Sequence, residues 1–257
     1  MVCVDGFILT HAYERIEIPE VRDVDAFLPP YDPVQVLDCD DPVSIGAMVG
    51  PEAFTEVRYL QHRKQLAALE LIPEIASEFS ARFKRESGGL VKPYRLEGAE
   101  TIVVALGSVN GTVKDVIDEM RNEGHAIGSL AIVSFRPFPL KEVRAALIGA
   151  KRIVVLEKSL SAGLGGPLSD GVRKSLSGTG LHGHTVIAGL GGRAITKKSL
   201  WDIFLKAERD ELELLDFLDL DLETVERQIE RERATRRSGP AAENILKSIG
   251  TVASRIA

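Results

Sequence analysis

The hydrophobic pattern is most regular between residues 101 and 204, where strand-sized apolar runs alternate with helical stripes. Thr101–Gly107 (TIVVALG) is β-branched and apolar throughout, the mark of a buried parallel strand. Ser108–Thr112 forms a turn placed to cap the next helix, whose inner face is Val113, Val116, Ile117 and Met120 and whose end is Gly124. Ala126–Phe135 reads as a second strand, and Arg136-Pro137-Phe138-Pro139 forces a turn. Leu140–Ile148 follows as a helix ended by Gly149. A third strand, Ile153–Leu156, leads into a loop with glycines at 163, 165 and 166. Pro167 then opens a helix with Leu168, Val172 and Leu176 at helical spacing. The last strand is Thr185–Leu190, followed by Gly191-Gly192-Arg193 and by a helix capped by Thr196 that runs through Trp201 and Phe204. Four strands alternating with four helices predict a three-layer α/β domain with an open, mostly parallel sheet.

The flanks read differently. Residues 1–10 look like a strand entering a turn, VCV, then Asp5-Gly6, then FIL. Residues 19–45 are rich in Pro and Asp and predict extended, irregular chain. From Pro51 to Phe83 the pattern is helical, through Leu66, Leu69, Ile72, Ile75, Ala76 and Phe79. Pro73 predicts a kink or two consecutive helices there. Beyond residue 206 an acidic stretch precedes a mixed helix with Leu222, Val225 and Ile229 on one face and Glu223–Arg227 and Glu232–Arg236 as supporting pairs. Ser238-Gly239-Pro240 breaks that helix, and Ile245, Ile249, Val252 and Ile256 form the stripe of another. The expected organisation is therefore an N-terminal extended segment (1–45), a helical connector (46–94), the α/β domain (95–206) and a charged helical tail (207–257).

Composition narrows the function classes. With 44% hydrophobic residues the 257-residue chain can bury a large core, and a net charge of −6 with 5% aromatics argues against nucleic acid. The longest apolar runs are strand-sized, so no membrane span is expected. The N-terminus lacks the pattern of a secretion signal. Two cysteines, Cys3 and Cys39, suggest neither a metal site nor an iron–sulfur cluster, and a cytoplasmic protein is the expected setting.

The candidate chemistry is sparse. Gly163, Gly165 and Gly166 lack the third glycine of a dinucleotide fingerprint. They either expose helix amides to an anion or simply let strand and helix pack closely. Arg136 and Arg193 stand at carboxyl ends of strands, where open α/β sheets bind ligands. Each could contact a phosphate, a carboxylate or another subunit, or hydrogen-bond loop carbonyls. The five histidines show no ligand spacing, and no nucleophile elbow or acid–base pair stands out. No catalytic or metal-binding residue is assigned.

Six segments in order carry a resemblance: Val4-Asp5-Gly6-Phe7-Ile8-Leu9-Thr10-His11, Phe27-Leu28-Pro29-Pro30-Tyr31, Val104-Ala105-Leu106-Gly107-Ser108, Phe135-Arg136-Pro137-Phe138-Pro139, Gly165-Gly166-Pro167-Leu168 and Ala188-Gly189-Leu190-Gly191-Gly192-Arg193. With them the chain resembles the α subunit of pyruvate (2-oxoacid):ferredoxin oxidoreductase, the pyruvate synthase family. The match is to the end of that subunit's pyrimidine-binding domain and to its transketolase-C-terminal-like domain. The resemblance implies a part of an enzyme that turns a 2-oxoacid, coenzyme A and oxidised ferredoxin into acyl-coenzyme A, carbon dioxide and reduced ferredoxin. It also implies that thiamine diphosphate, magnesium and iron–sulfur clusters belong to other domains or subunits, and that this chain is structural. The implied partners are those subunits, including a chain with the missing pyrimidine domain onto whose sheet strand Val2–Val4 would add, and ferredoxin through the complex. The alternative is a stand-alone α/β module holding coenzyme A or a nucleotide phosphate in its glycine loop.

Overall fold

In a computed structural model the described residues are 1–6, 9–42, 44–46, 48–234 and 239–253. They form two compact units, Met1–Asp216 and Phe217–Ala257. In the first, the four expected strands are present as β2 (Thr101–Leu106), β3 (Ile127–Ile132), β4 (Arg152–Glu157) and β5 (Gly183–Ile187). Two further strands widen the sheet: β1 (Val91–Tyr94) and β6 (Leu215–Phe217), giving the order β1-β3-β2-β4-β5-β6. The β2–β5 pairings are parallel, while β1 runs antiparallel to β3 with Pro93 beside Leu130. Neither extra strand shows a clean pattern in the sequence: β1 is VKPY and β6 only LDF.

Helices α3 (Val109–Asn122) and α6 (Lys197–Glu208) pack together, as do α4 (Leu140–Leu147) and α5 (Pro167–Leu176). Strand alternation explains how both pairs are served by one sheet. Ile102, Val104, Leu130, Ile153 and Val155 join Val143, Leu147, Leu168, Val172 and Leu176 in one core. Val103 and Val154 are equally buried and alternate to the other face. The expected cap is present at α6, where Thr196 Oγ1 accepts from the Ser199 amide at 3.1 Å. Ser108 takes the N-cap position of α3 without a side-chain cap hydrogen bond.

The N-terminal flank differs from expectation in three ways. Residues 1–6 form no strand and Leu9–His11 is a single 3-10 turn, because the apolar side chains there, such as Val2, are exposed and no strand among the described residues lies alongside; residues 7 and 8 lie outside the described residues. The Pro- and Asp-rich segment contains a short helix, α1 (Val21–Phe27), held where Phe27 meets Phe79 and Phe83 at ring separations of 5.8 and 5.4 Å. Pro73 does not divide the connector: α2 runs unbroken from Phe54 to Phe83.

The second unit holds α7 (Leu222–Ala234) and α8 (Ala241–Ala253), packed on each other. The expected α7 stripe is not its buried face. Leu222 and Ile229 are exposed, whereas Thr224, bonded to Asp221, and Gln228, bonded to Glu232, are buried. Arg227 pairs with Glu223 at 3.3 Å as expected, while Arg236 and Ile256 lie outside the described residues. Among the described residues no helix is long and apolar enough to cross a membrane.

Candidate functional site

The sheet order fixes where a site can form. From β2 the chain moves to β3 on one side, then returns to β4 on the other. The carboxyl ends of β2 and β4 therefore flank a topological switch point, the crevice in which open α/β sheets receive ligands. Here the crevice holds a side chain of the protein itself. Asp5 Oδ2 accepts from the Ser108 amide, just after β2, at 2.6 Å, and Oδ1 lies 2.9 Å from Lys158 Nζ, just after β4. Gly107 makes this approach possible: its φ is +82°, and a Cβ there would lie 2.9 Å from Asp5 Oδ2. Burial pushes the Asp5 carboxyl pKa up. The Ser108 hydrogen bonds and the Lys158 ammonium together outweigh burial and bring it down to about 2.

The glycine loop is closed in the same manner. Ser161 and Gly165 exchange backbone hydrogen bonds of 2.6 and 3.0 Å, making a tight turn with Gly163 and Gly165 at φ +82° and +128°. The helix that follows has Pro167 in its first turn and presents its amides to Glu157, the last residue of β4. Glu157 Oε2 accepts from Leu168 N at 2.8 Å and Ser169 N at 3.1 Å. The carboxylate is 4% exposed, and burial raises its pKa against the pull of those amides. Gly166 is required by contact, since a Cβ there would fall 2.2 Å from Glu157 Cδ. The amides and positive end of α5, where an external anion would bind, are thus engaged by an internal one.

The two arginines stand on the same edge of the sheet and do not converge. Arg136 follows β3 and Arg193 follows β5, with β2 and β4 between them. The exposed Arg136 side chain donates to the Phe135 carbonyl at 2.7 Å and stacks 4.1 Å from the Phe135 ring centre. Its peptide bond to Pro137 is cis. Phe138 packs so closely on α5 that a Cβ at Gly171 would lie 2.5 Å from its ring. Arg193 is exposed after a 3-10 turn, Leu190–Gly192.

Among the described residues no three of His, Cys, Asp and Glu converge on a metal position, and both cysteines are exposed. With the α5 amides already holding Glu157, the residues present do not fit a magnesium-bound diphosphate or an iron–sulfur cluster. Sequence reasoning found the loops and missed their contents. Glu157 carries a local signal, a carboxylate ending an apolar run just before a glycine loop. Asp5 carries none, because its partners lie 103 and 153 residues away.

Residues 99–200 match the family model described as pyruvate:ferredoxin oxidoreductase core domain II. Over 211 residues, 82% of this chain, the sequence is 41% identical to the pyruvate synthase subunit PorA of Methanothermobacter thermautotrophicus, 54% of which is covered. This chain is a relative of the PorA subunits. The ketoisovalerate oxidoreductase subunit VorA of Pyrococcus horikoshii is 33% identical over 203 residues, 78% of this chain and 52% of that one. Among solved structures, a chain of the 2-oxoglutarate:ferredoxin oxidoreductase from Magnetococcus marinus, with 2-oxoglutarate, coenzyme A and succinyl-CoA bound, shares 20% identity. It covers 50% of this chain and 21% of its own length at a TM-score of 0.39, a likeness too slight to build on. The chain thus spans about half the length of the curated PorA and VorA relatives it matches.

Proposed function

We propose that this chain is a structural and assembly part of a thiamine-diphosphate-dependent 2-oxoacid:ferredoxin oxidoreductase, corresponding to the end of the pyrimidine-binding domain and the transketolase-C-terminal-like domain of a PorA-type subunit. The assembled enzyme converts a 2-oxoacid, coenzyme A and oxidised ferredoxin into acyl-coenzyme A, carbon dioxide and reduced ferredoxin. One observation carries the structural role. The two places where an α/β sheet of this topology takes a ligand, the switch-point crevice and the α5 amides, are filled by the chain's own Asp5 and Glu157. Such a domain offers other subunits a rigid, preformed edge. The cofactor, its magnesium and the iron–sulfur clusters are held by the rest of the complex, and ferredoxin docks there. The substrate is chosen there too, in keeping with relatives named for pyruvate and for ketoisovalerate. Arg136 and Arg193, exposed on the sheet edge, serve as contacts to those subunits.

Two measurements test this reading. The purified chain with thiamine diphosphate, magnesium and a dye acceptor is expected not to oxidise pyruvate, and to gain that activity when co-expressed with a chain carrying the remaining half of a PorA-type subunit and its companion subunits. Turnover by the chain alone overturns it. Titration calorimetry with coenzyme A and nucleotides is expected to show no submillimolar binding. Such binding, lost in Arg136→Ala, would establish the stand-alone binding module instead.

A further inference from the structure

The long helix α2 is the least explained element of the first unit. It spans 30 residues, Phe54–Phe83, and none of them is buried. At 1.5 Å per residue it is about 45 Å long. Its C-terminal part meets α1 through Phe79 and Phe83. A second stripe is left exposed by the described residues: Val57, Leu60, Leu71 and Ile75 are 46%, 55%, 52% and 45% exposed. With Lys64 and Ala67 between them, these positions follow the three-and-four spacing of a helix–helix seam, and Ala67 leaves room for a close approach.

Charge along the helix identifies what covers this stripe. Arg58, Arg63 and Lys64 lie in the N-terminal half, whereas Glu70, Glu74 and Glu78 lie in the C-terminal half. Of the residues outside this division, Glu56 lies near the start of the helix, and Arg82 near its end is turned to Asp23 at 3.6 Å. Among the described residues Arg63, Lys64, Glu70, Glu74 and Glu78 enter no ion pair. A helix basic in one half and acidic in the other complements itself when turned end for end. We infer that α2 pairs antiparallel with α2 of a second copy of this chain, about a twofold axis near Leu66. That register sets Leu60 beside Leu71 of the second copy and Arg63 beside its Glu70, which lies on the same flank of the stripe. By symmetry each contact is made twice. A parallel pairing would set Arg63 on Arg63 and Glu70 on Glu70, and is disfavoured by like charge.

Sedimentation velocity on the full chain is expected to show a dimer at micromolar concentration. Arg63→Glu is expected to weaken it by roughly tenfold, since it sets two like-charge pairs in the seam. The double variant Arg63→Glu/Glu70→Arg is expected to restore it, and Leu60→Glu/Leu71→Glu to abolish it. All four positions are exposed, so the fold is retained, and circular dichroism confirms that. Spin labels on Thr55→Cys, in a Cys3→Ser/Cys39→Ser background, should lie about 33 Å apart along the axis, against about 10 Å for parallel helices. A chain that stays monomeric, a dimer indifferent to these charges, or a short label distance overturns the inference.

Discussion

The segment from Leu90 to Leu212 and the segment before it are both rich in apolar residues, yet they use them in opposite ways. Every buried hydrophobic residue among the described residues falls between Leu90 and Leu212. Before Leu90 none of the described residues is buried, and Val2, Tyr13, Ile18, Tyr31, Leu37 and Leu60 all stand in solvent. The difference lies in pattern rather than content. Runs such as Thr101–Leu106 can be flanked on both sides by strands and on both faces by helices. The isolated side chains of the first fifty residues, spaced by Pro and Asp, have no such neighbours. One segment closes on itself and the other presents apolar surface, the condition of a region made to be covered.

Substitutions can break or sharpen this contrast. The largest effect is expected at Phe204, fully buried in α6: Phe204→Ala should cost about 3–5 kcal/mol in urea unfolding. Next comes Gly166→Ala. The added methyl would meet Glu157 in its cradle and should destabilise the domain by about 1–3 kcal/mol.

The two internal carboxylates should then separate by pH. Asp5 has its pKa lowered to about 2, so its contribution, about 2 kcal/mol, is present above its unfolded pKa of about 3.9 and is lost as pH falls through about 2. Glu157 has its pKa raised, so its share is complete below its unfolded pKa of about 4.3 and declines as pH rises through the folded value. Asp5→Asn should speed proteolysis of the first fifty residues while leaving unfolding of the α/β core in place. Glu157→Gln should flatten the decline in stability with rising pH. The smallest effect belongs to Leu60→Ala, within about 0.5 kcal/mol for the unfolding of a single chain. A large loss there would mean that the N-terminal segment is packed by its own chain after all.

What was legible in the sequence follows the same division. Strands β2 to β5 and their helices were readable because burial on both faces demands continuous β-branched runs and clean helical stripes. β1 was not, since an edge strand with Lys92 and Pro93 carries no such run. α1 was hidden because its stability comes from Phe27 meeting Phe79 and Phe83, more than fifty residues away in sequence. At the sheet's carboxyl edge the loops and Arg136 and Arg193 were apparent from turn chemistry. The occupancy by Asp5 and Glu157 was not, because it depends on which distant side chain reaches the loop first.

The edge strand β1 has a consequence for how anything can attach to this domain. Its outer rim is interrupted at Pro93, which has no amide hydrogen to offer, and Lys92 brings a charge beside it. A ribbon from another molecule would find the row of donors broken at its midpoint. Growth of the sheet stops there, guarding against fibre-like stacking. On this side of the sheet companions must grip side chains instead, on helix flanks and loop crests, where fit can be selective and the union can be undone.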